Sequence, residues 1–420
     1  MDHLIINGKQ TLRGEVAING SKNAATAILP AAIMCSGICV IDNLPNVDDI
    51  LSLVEAMRKI GCKCDFKDKH TLIIDPSGIN TTCANHESVR KLRGSYYLVG
   101  ALLGRFGKAE VTLPGGCNFG TRPIDQHEKG LEALGASVTT EHGMIKAFAE
   151  KLTGANIYLD VASVGATINI MLAASCADGL TTIENAAKEP HVVDCANFLN
   201  VMGAKIKGAG TDVIKITGVN SLHGGEYTII PDQIECGTFM IAAAATAGEI
   251  TVKNIIPKHM DSVSAKLAEM GCKVEERSDS ITVTGYPNLK HVNVKTMAYP
   301  GFPTDLQPQM TALLCNVSGT SIITETVFDN RYQYITELRR LGCNVTVDGR
   351  VAIINQLEKL TGADVNATDL RAGAALIIGA LCAEGTTDIG NIKYVDRGYE
   401  AIEEKLANLG ADIKRVSKEE

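Results

Sequence analysis

The chain has 420 residues, more than one ordinary hydrophobic core accommodates, so two domains are expected. An apolar content of 45% with 21% charged residues excludes an intrinsically disordered chain, and a net charge of −8 argues against a protein with a wholly basic, nucleic-acid-binding surface. A few arginines in one cleft would still permit an anion site. No apolar run reaches the roughly 20 residues of a membrane span, and the first residues resemble a strand and turn rather than a signal segment. We therefore expect a cytoplasmic protein.

The thirteen cysteines do not predict a disulfide framework, because their number is odd and no signal segment precedes them. Only Cys62-Lys63-Cys64 has close spacing, and without a matching second pair we expect no zinc site. A P-loop, a dinucleotide glycine motif and a Ser-His-Asp order are also missing from the sequence, so we expect no metal and no cofactor. His127 and the other histidines are not spaced as metal ligands, and we expect most of them to be ordinary surface or loop residues.

A sixfold repeat organises the chain. An amphipathic segment ends six times with Leu, Met or Ile, then Gly, then Ala or Cys, and the glycines recur every 68 to 74 residues at Gly61, Gly135, Gly203, Gly271, Gly342 and Gly410. A glycine in this place is the expected stop of a helix that is followed by a strand. Cys62, Cys272 and Cys343 stand where the other copies carry alanine, so we expect them to be small apolar core residues.

A second glycine precedes each of these stops by 23 to 28 residues, at Gly37, Gly107, Gly179, Gly248, Gly319 and Gly385. Each follows an almost wholly apolar stretch and precedes a β-rich run. A helix that is apolar on all faces belongs inside a domain. The repeating unit is therefore a strand, a buried helix, a strand, an amphipathic helix and further strands. We predict two α/β domains of three units each, at 21–229 and at 230–420 with 1–20, and a site in the cleft between them. The first strand, at 4–7, is expected to pair with the far end of the chain.

Polar residues collect where the buried helices are predicted to begin. Ser21, Ser163 and Asp369 are suitable N-caps. Cations at a helix start oppose the helix dipole, and a bound anion would explain them better than the fold does. Three residues show this pattern: Lys22, Arg93 and Arg371.

Three further positions carry candidate chemistry. Arg331 and Arg397 follow β-runs in the last two repeats, although either could equally be a surface ion-pair residue. Asp305 lies in a rigid loop that enters a helix and is either a cap or a general base.

Cys117 lies among glycine and proline breakers in residues 114–123, with Arg122 five residues later. A thiol on such a loop can reach solvent, and a nearby cation favours its thiolate. The alternative is an incidental cysteine on a mobile surface loop.

Together these segments resemble the enolpyruvyl transferase family over essentially the whole chain. The matching pieces are Asn19-Gly20-Ser21-Lys22-Asn23-Ala24, residues 113–123 with Cys117, Phe302-Pro303-Thr304-Asp305, residues 324–328, residues 367–371 and Asp396-Arg397-Gly398-Tyr399-Glu400. The resemblance implies an α/β fold of two inside-out, barrel-like domains, each with three βαβαββ repeats around buried helices.

The resemblance also implies a reaction and its two small-molecule partners. The enolpyruvyl group of phosphoenolpyruvate would pass to the 3′-hydroxyl of UDP-N-acetylglucosamine with release of phosphate, the first committed step of peptidoglycan synthesis. A tetrahedral phospholactoyl ketal would be the intermediate. The resemblance makes Asp305 the base for the 3′-hydroxyl. Cys117, on a lid loop, would be the proton donor, could form a covalent phosphoenolpyruvate adduct, and is the position that fosfomycin alkylates in the family.

The same resemblance assigns the binding residues. Phosphoenolpyruvate would be held by Lys22, Arg122 and Arg397, with support from Arg331 and Arg371. The UDP-sugar would be faced by Asn23, Arg93, Arg122, Pro123, Ile124, Asp125, Gln126, Ser163, Val164, Gly165, Asp305 and Val327, with Phe328 packed nearby, and Asp369 is counted with the substrate-binding residues. The chain departs from the family at Asp160-Val161-Ala162, where relatives often carry a lysine, and we assign no phosphate contact to that segment.

Two alternatives stay open. One is the sister enzyme that acts on shikimate 3-phosphate, against which the Cys117 loop and Thr121-Arg122-Pro123 count. The other is a catalytically silent UDP-sugar-binding regulatory protein, against which the filled catalytic positions count. The oligomeric state cannot be predicted from the sequence.

Overall fold

The computed structural model describes residues 2–113, 124–355 and 359–418, with only the backbone for Lys91 and Arg93. The chain divides into two compact units. The first unit comprises the described residues from Gly20 to Ile230, and the second comprises those up to Asn19 and from Pro231 onward. Each unit has its own continuous hydrophobic core.

Two strands of the second unit, β1 (Asp2–Asn7) and β2 (Arg13–Ala17), open the chain. The first unit follows with α1 (Lys22–Ile33), β3 (Cys39–Asp42), α2 (Asp48–Lys59), β4 (Lys63–Asp68), β5 (Thr71–Asp75), β6 (Cys83–Ala84), α3 (Glu87–Lys91), α4 (Tyr97–Phe106), β7 (Lys108–Thr112), α5 (Asp125–Ala133), β8 (Ser137–Glu141), β9 (Met144–Phe148), β10 (Asn156–Tyr158), α6 (Val164–Ala174), β11 (Leu180–Glu184), α7 (Pro190–Val201), β12 (Lys205–Lys207), β13 (Val213–Thr217) and β14 (Gly225–Thr228). Short 3₁₀ turns occupy Pro76–Gly78 and Arg93–Tyr96.

The rest of the second unit consists of α8 (Gln233–Ala245), β15 (Glu249–Lys253), α9 (Asp261–Met270), β16 (Lys273–Glu276), β17 (Ser280–Thr284), β18 (Val294–Lys295), α10 (Gln307–Leu314), β19 (Thr320–Thr324), α11 (Ile335–Arg340), β20 (Asn344–Asp348), β21 (Val351–Asn355), β22 (Asp364–Asn366), α12 (Leu370–Cys382), β23 (Thr386–Gly390), α13 (Lys393–Asp396), α14 (Ile402–Asn408) and β24 (Asp412–Ser417). Its 3₁₀ turns are Pro257–Met260, Thr304–Leu306 and Arg331–Tyr334.

The described strands form six four-stranded sheets of one design, three in each unit. In every sheet one outer pair is parallel and the other two pairs are antiparallel. The orders are β14-β3-β5-β4, β6-β7-β9-β8 and β10-β11-β13-β12 in the first unit, and β2-β15-β17-β16, β18-β19-β21-β20 and β22-β23-β1-β24 in the second. The sixfold repeat is confirmed, and so is the pairing of the first strand with the end of the chain, where Leu4 lies opposite Arg415.

The helices predicted to be buried are the innermost elements of each unit: α1, α4 and α6 in the first, and α8, α10 and α12 in the second. Helix α12 is buried along its whole length from Arg371 to Cys382. Each fully buried Leu or Ile contributes about 1.5–3 kcal/mol relative to exposure. Many of the strands, in contrast, alternate buried residues with half-buried or exposed ones, as in β9. Helices inside and sheets outside are what the repeat pattern predicted.

Within a unit the buried helices run parallel. In the first unit the Gly100 N–H donates to Asn169 Oδ1 at 2.8 Å, and one turn later a Cβ on Gly104 would lie 3.2 Å from the Cα of Ala173. The same four-residue advance on α4 and α6 requires parallel axes. In the second unit Cys382 Sγ donates to the Ala245 carbonyl at 3.3 Å, so α8 and α12 end together.

The six glycine stops adopt the conformation that the repeat pattern requires. Their φ values lie between 93° and 103° at Gly61, Gly135, Gly203, Gly271, Gly342 and Gly410. This left-handed region is strained for residues with a Cβ, which explains why each amphipathic helix ends on glycine. The cysteines that follow three of these glycines are buried, as predicted, at Cys62, Cys272 and Cys343.

Within the described ranges, no helix is both long and apolar enough to cross a membrane. In the same residues no group of three or more His, Cys, Asp or Glu side chains is arranged to hold a metal ion.

Candidate active site

The three predicted N-caps are confirmed. Ser21 Oγ accepts from the Ala24 N–H at the start of α1, and Ser163 Oγ accepts from the Ala166 N–H at the start of α6, each at 3.3 Å. Asp369 Oδ1 accepts from the N–H groups of Arg371 and Ala372 at the start of α12, at 2.8 and 3.1 Å. A side-chain oxygen at this position satisfies backbone donors that have no partner inside the helix.

Lys22, the first residue of α1, forms an ion pair with a carboxylate that the sequence analysis did not identify. Its Nζ lies 3.0 Å from Asp49 Oδ2, and the Asp49 side chain is only 6% exposed. Asp49 is the second residue of α2, where an acidic residue also suits the helix dipole. The cation at the start of α1 therefore has a partner within the protein, and Asp49 fixes the direction in which it points. Asn23 follows Lys22 and is half-buried.

Gln126 connects the first turn of α5 to the residues that precede α6. Gln126 is buried; its Nε2 donates to Asp160 Oδ2 at 3.0 Å, and its Oε1 accepts from the Asp160 N–H at 2.8 Å. Lys129, one turn along α5, adds an ion pair to Asp160 at 2.9 Å. The fold thus brings together the two segments predicted to face the UDP-sugar, residues 124–126 and 163–165.

The same junction contains His127, and the expectation that it is an ordinary surface or loop residue is wrong. His127 lies in α5 and is buried, its ring against the start of α6, where a Cβ on Gly165 would come within 2.8 Å of Nε2. Asn169 Nδ2 lies 2.9 Å from Nδ1 and can only donate to a ring nitrogen that lacks a proton. Burial lowers the pKa of His127 to about 4, so the ring is neutral near pH 7.

In the second unit Asp305 lies between two buried arginines. Its Oδ1 accepts from Arg331 Nη2 at 3.2 Å and its Oδ2 from Arg371 Nη2 at 2.9 Å. Burial opposes the charge of Arg371, but the attraction of Asp305, together with smaller contributions from Tyr399 and Asp232, outweighs burial and raises the pKa of the guanidinium above its ordinary value. Three candidate residues from the last two repeats therefore meet. The carboxylate proposed as a base is engaged on both oxygens, which weakens it as a proton acceptor.

A buried carboxylate that the sequence analysis missed shapes the loop beside Asp305. Glu325 is fully buried; its Oε1 accepts from the N–H groups of Val327 and Phe328 at 2.8 and 3.2 Å, and its Oε2 accepts from Thr304 Oγ1 at 2.9 Å. Val327 is thereby held 45% exposed. The Arg331 guanidinium carbon lies 5.4 Å from the centre of the Phe328 ring, within cation–π distance.

The segment 396–400 is anchored by the neighbours of Arg397. The Tyr399 hydroxyl bonds Thr238 Oγ1 at 2.8 Å, and its ring lies 5.8 Å from the Arg371 guanidinium carbon. Glu400 Oε2 accepts from Asn19 Nδ2 at 2.7 Å. These bonds fix the backbone on which Arg397, half-buried after α13, is carried.

Several predicted residues lie outside the described structure. Cys117, Arg122 and Pro123 fall in residues 114–123, and of Arg93 only the backbone, at the start of the 3₁₀ turn before α4, is described. The described candidate residues are divided between the two units. The first unit contains Lys22, Asn23, Ile124, Asp125, Gln126, Ser163, Val164 and Gly165; the second contains Asp305, Val327, Phe328, Arg331, Asp369, Arg371 and Arg397.

The chain is similar to proteins of known family along its full length. The family model described as EPSP synthase (3-phosphoshikimate 1-carboxyvinyltransferase) matches residues 6–406. Curated relatives named UDP-N-acetylglucosamine 1-carboxyvinyltransferase include one from Clostridium acetobutylicum, 57% identical over 99% of both chains, and one from Clostridium botulinum, 56% identical over 99% of this chain and 100% of the relative.

Solved structures agree with the fold. The enolpyruvyl transferase NikO from Streptomyces tendae is 28% identical, covers 100% of this chain and 99% of its own, and superposes with a TM-score of 0.90. EPSP synthase from Acinetobacter baumannii, at 18% identity and a TM-score of 0.77, covers 99% of this chain and 100% of its own and shows the fold alone. The predicted fold class and family resemblance are confirmed: the chain belongs to the enolpyruvyl transferase family, among the members named UDP-N-acetylglucosamine 1-carboxyvinyltransferase.

Proposed function

We propose that this protein transfers the enolpyruvyl group of phosphoenolpyruvate to the 3′-hydroxyl of UDP-N-acetylglucosamine and releases phosphate. The observation that carries the proposal is the match at 57% identity, over 99% of both chains, to a curated relative named for this transfer. The product would enter peptidoglycan precursor synthesis. Because both substrates are cytoplasmic metabolites, we place the reaction in the cytoplasm.

The chemistry consists of an addition followed by an elimination. The sugar oxygen bonds to C2 of phosphoenolpyruvate while its proton leaves and C3 gains a proton, which gives a tetrahedral phospholactoyl ketal. Loss of a proton from C3 and cleavage of the C2–O bond to phosphate then restore the double bond. Each step moves protons or exchanges C–O bonds, so the reaction requires no redox partner.

The demand on the protein is to hold two anionic substrates close together. We assign phosphoenolpyruvate to Lys22, Arg122 and Arg397, with Arg331 and Arg371 on its carboxylate or phosphate. Fixed cations that need no rearrangement during the reaction are the usual source of such stabilisation. The ion pair with Asp49 supports this role of Lys22, because it orients the ammonium before substrate arrives.

We assign the UDP-sugar to Asn23, Arg93, residues 122–126, Ser163, Val164, Gly165, Asp305 and Val327, with Phe328 packed against it. Asp369 is counted with the substrate-binding residues. The junction made by Gln126 and Asp160 supports a joint role of residues 124–126 and 163–165. Backbone N–H groups at the start of α6 suit an anionic group such as a diphosphate.

Asp305 is our candidate base, and its two arginines set a condition on that role. A carboxylate bonded to two guanidiniums is a weak base until one of them turns away. The anionic groups of phosphoenolpyruvate compete for the same guanidiniums, so binding of this substrate would release an Asp305 oxygen toward the sugar hydroxyl. Cys117 is our candidate acid for C3 and the thiol that fosfomycin would alkylate.

The test is phosphate release from phosphoenolpyruvate with UDP-N-acetylglucosamine, by the wild type and by Cys117→Ser, each with and without fosfomycin. We expect release that depends on the UDP-sugar and that the drug abolishes in the wild type. Release with shikimate 3-phosphate instead would assign the protein to the sister reaction. Binding of the UDP-sugar by folded protein without phosphate release would contradict an enzymatic role.

A further inference from the structure

Arg415, on β24 in the second unit, binds two carboxylates with one guanidinium. Its Nη1 and Nη2 bond Asp396 Oδ2 and Oδ1 at 3.0 and 2.6 Å, and its Nε bonds Glu403 Oε1 at 2.6 Å. Asp2 Oδ2 lies 3.7 Å from Nη1. A planar guanidinium that engages a carboxylate with two parallel bonds fixes orientation as well as distance. Neither the reaction nor the family resemblance gives Arg415 a role.

The two carboxylates flank the segment 397–401. Asp396 is the last residue of α13, and Glu403 is the second residue of α14. Between them, Ala401 has a φ of 46°, a left-handed conformation that residues with a Cβ adopt only when their surroundings impose it. Arg415 therefore holds both ends of a strained segment that begins with Arg397.

The interior of this segment is also fixed, but by other elements. A Cβ on Gly398 would come within 2.6 Å of Leu370 Cδ2, so this residue packs directly on the start of α12. Tyr399 and Glu400 are held by Thr238 and Asn19. Arg415 holds the two ends of the segment, and one of the two residues that it binds, Asp396, directly precedes Arg397.

We propose that Arg415 is a positioning residue for Arg397, which it holds in place through Asp396 and Glu403. The proposal rests on the proposed function, in which Arg397 binds phosphoenolpyruvate. Without the guanidinium, Asp396 and Glu403 would face each other as like charges within the width of one side chain. Among the residues that the structure describes, Glu403 Oε2 is buried without a hydrogen-bond partner, and Arg415 is the cation that bonds Glu403 Oε1. Repulsion between the two carboxylates would displace the segment and with it Arg397.

The test is a double-mutant cycle between Arg415→Met and Arg397→Met, read as KM for phosphoenolpyruvate and as calorimetric affinity for UDP-N-acetylglucosamine. We expect Arg415→Met to raise KM for phosphoenolpyruvate roughly tenfold, since a misplacement of about 1 Å is costly. Affinity for the UDP-sugar should stay within about twofold. In the Arg397→Met background, Arg415→Met should add no further loss, because it acts through the residue already removed.

Two further variants separate positioning from folding. Asp396→Asn removes the charge of the carboxylate that Arg415 binds. It should therefore raise KM for phosphoenolpyruvate as Arg415→Met does. Arg339→Met is the matched control, because Arg339 makes two guanidinium bonds in the same unit, both to the Val345 carbonyl, and it should leave KM unchanged.

Additive effects of Arg415→Met and Arg397→Met, or equal losses for both substrates, would overturn the positioning role. Wild-type protein that releases no phosphate would instead contradict the proposed function itself, and the two failures are thus distinguishable.

Discussion

The arrangement around Asp305 predicts that Asp305→Asn lowers both turnover and stability, yet increases the thermal stabilisation that phosphoenolpyruvate gives. The side chains of Arg331 and Arg371 are 3% and 7% exposed, and Asp305 is the carboxylate that bonds both. Asparagine removes the negative charge and can direct its oxygen at only one guanidinium. Breaking a buried pair costs about 3–5 kcal/mol. Because the Asp305 side chain is 28% exposed, we expect Asp305→Asn to lower the free energy of unfolding by about 2–3 kcal/mol.

The effect on activity should separate binding from turnover. Loss of a positioned base lowers kcat about 10²–10⁴-fold. If phosphoenolpyruvate competes with Asp305 for the guanidiniums, removing the Asp305 carboxylate should leave KM for phosphoenolpyruvate unchanged or lower it. Phosphoenolpyruvate should therefore raise the melting temperature of Asp305→Asn by more than that of the wild type.

The matched control is Asp329→Asn in the same unit. Asp329 pairs with Arg350, but the two side chains are 65% and 47% exposed, so the same chemical change should cost at most about 1 kcal/mol. The measurements are steady-state kinetics of phosphate release and thermal unfolding with and without phosphoenolpyruvate. A smaller thermal shift in Asp305→Asn than in the wild type would refute the competition, and an unchanged kcat would refute the base.

Three more predictions concern the first unit. Asp49→Asn removes the carboxylate that orients Lys22 and should raise KM for phosphoenolpyruvate about tenfold in steady-state kinetics, with affinity for the UDP-sugar unchanged. Gln126→Ala removes both bonds to Asp160 and should affect the other substrate. We expect KM for the UDP-sugar to rise about tenfold while KM for phosphoenolpyruvate stays constant. Burial holds the pKa of His127 at about 4, below its ordinary value of 6.5, so the unfolded chain binds the proton first as pH falls. This contribution is complete above pH 6.5 and is lost toward pH 4, and denaturant unfolding at pH 7 and 4.5 should show a loss about 2–3 kcal/mol larger in the wild type than in His127→Gln.

Much of the fold follows from signals that act within a few residues. Glycine at Gly61 and its five counterparts ends a helix because a left-handed residue is needed there, whatever the rest of the chain does. Ser21 and Ser163 cap their helices through N–H groups three residues ahead. The all-round apolar helices had to lie inside, and six copies of one pattern predicted the repeat. The family resemblance came from particular motifs, such as Asn19-Gly20-Ser21-Lys22-Asn23-Ala24.

The partners of the candidate residues depended on tertiary structure. Asp305 and Arg371 are 66 residues apart and meet only because α10 and α12 begin at the same end of one unit. Asp49 and Glu325 carry no local mark of their roles, since an acidic residue at a helix start or after a strand is ordinary in sequence. Burial of His127 likewise came from the packing of α5 against α6. Local propensity determines where elements begin and end, whereas pairing between charges depends on which elements the fold places side by side.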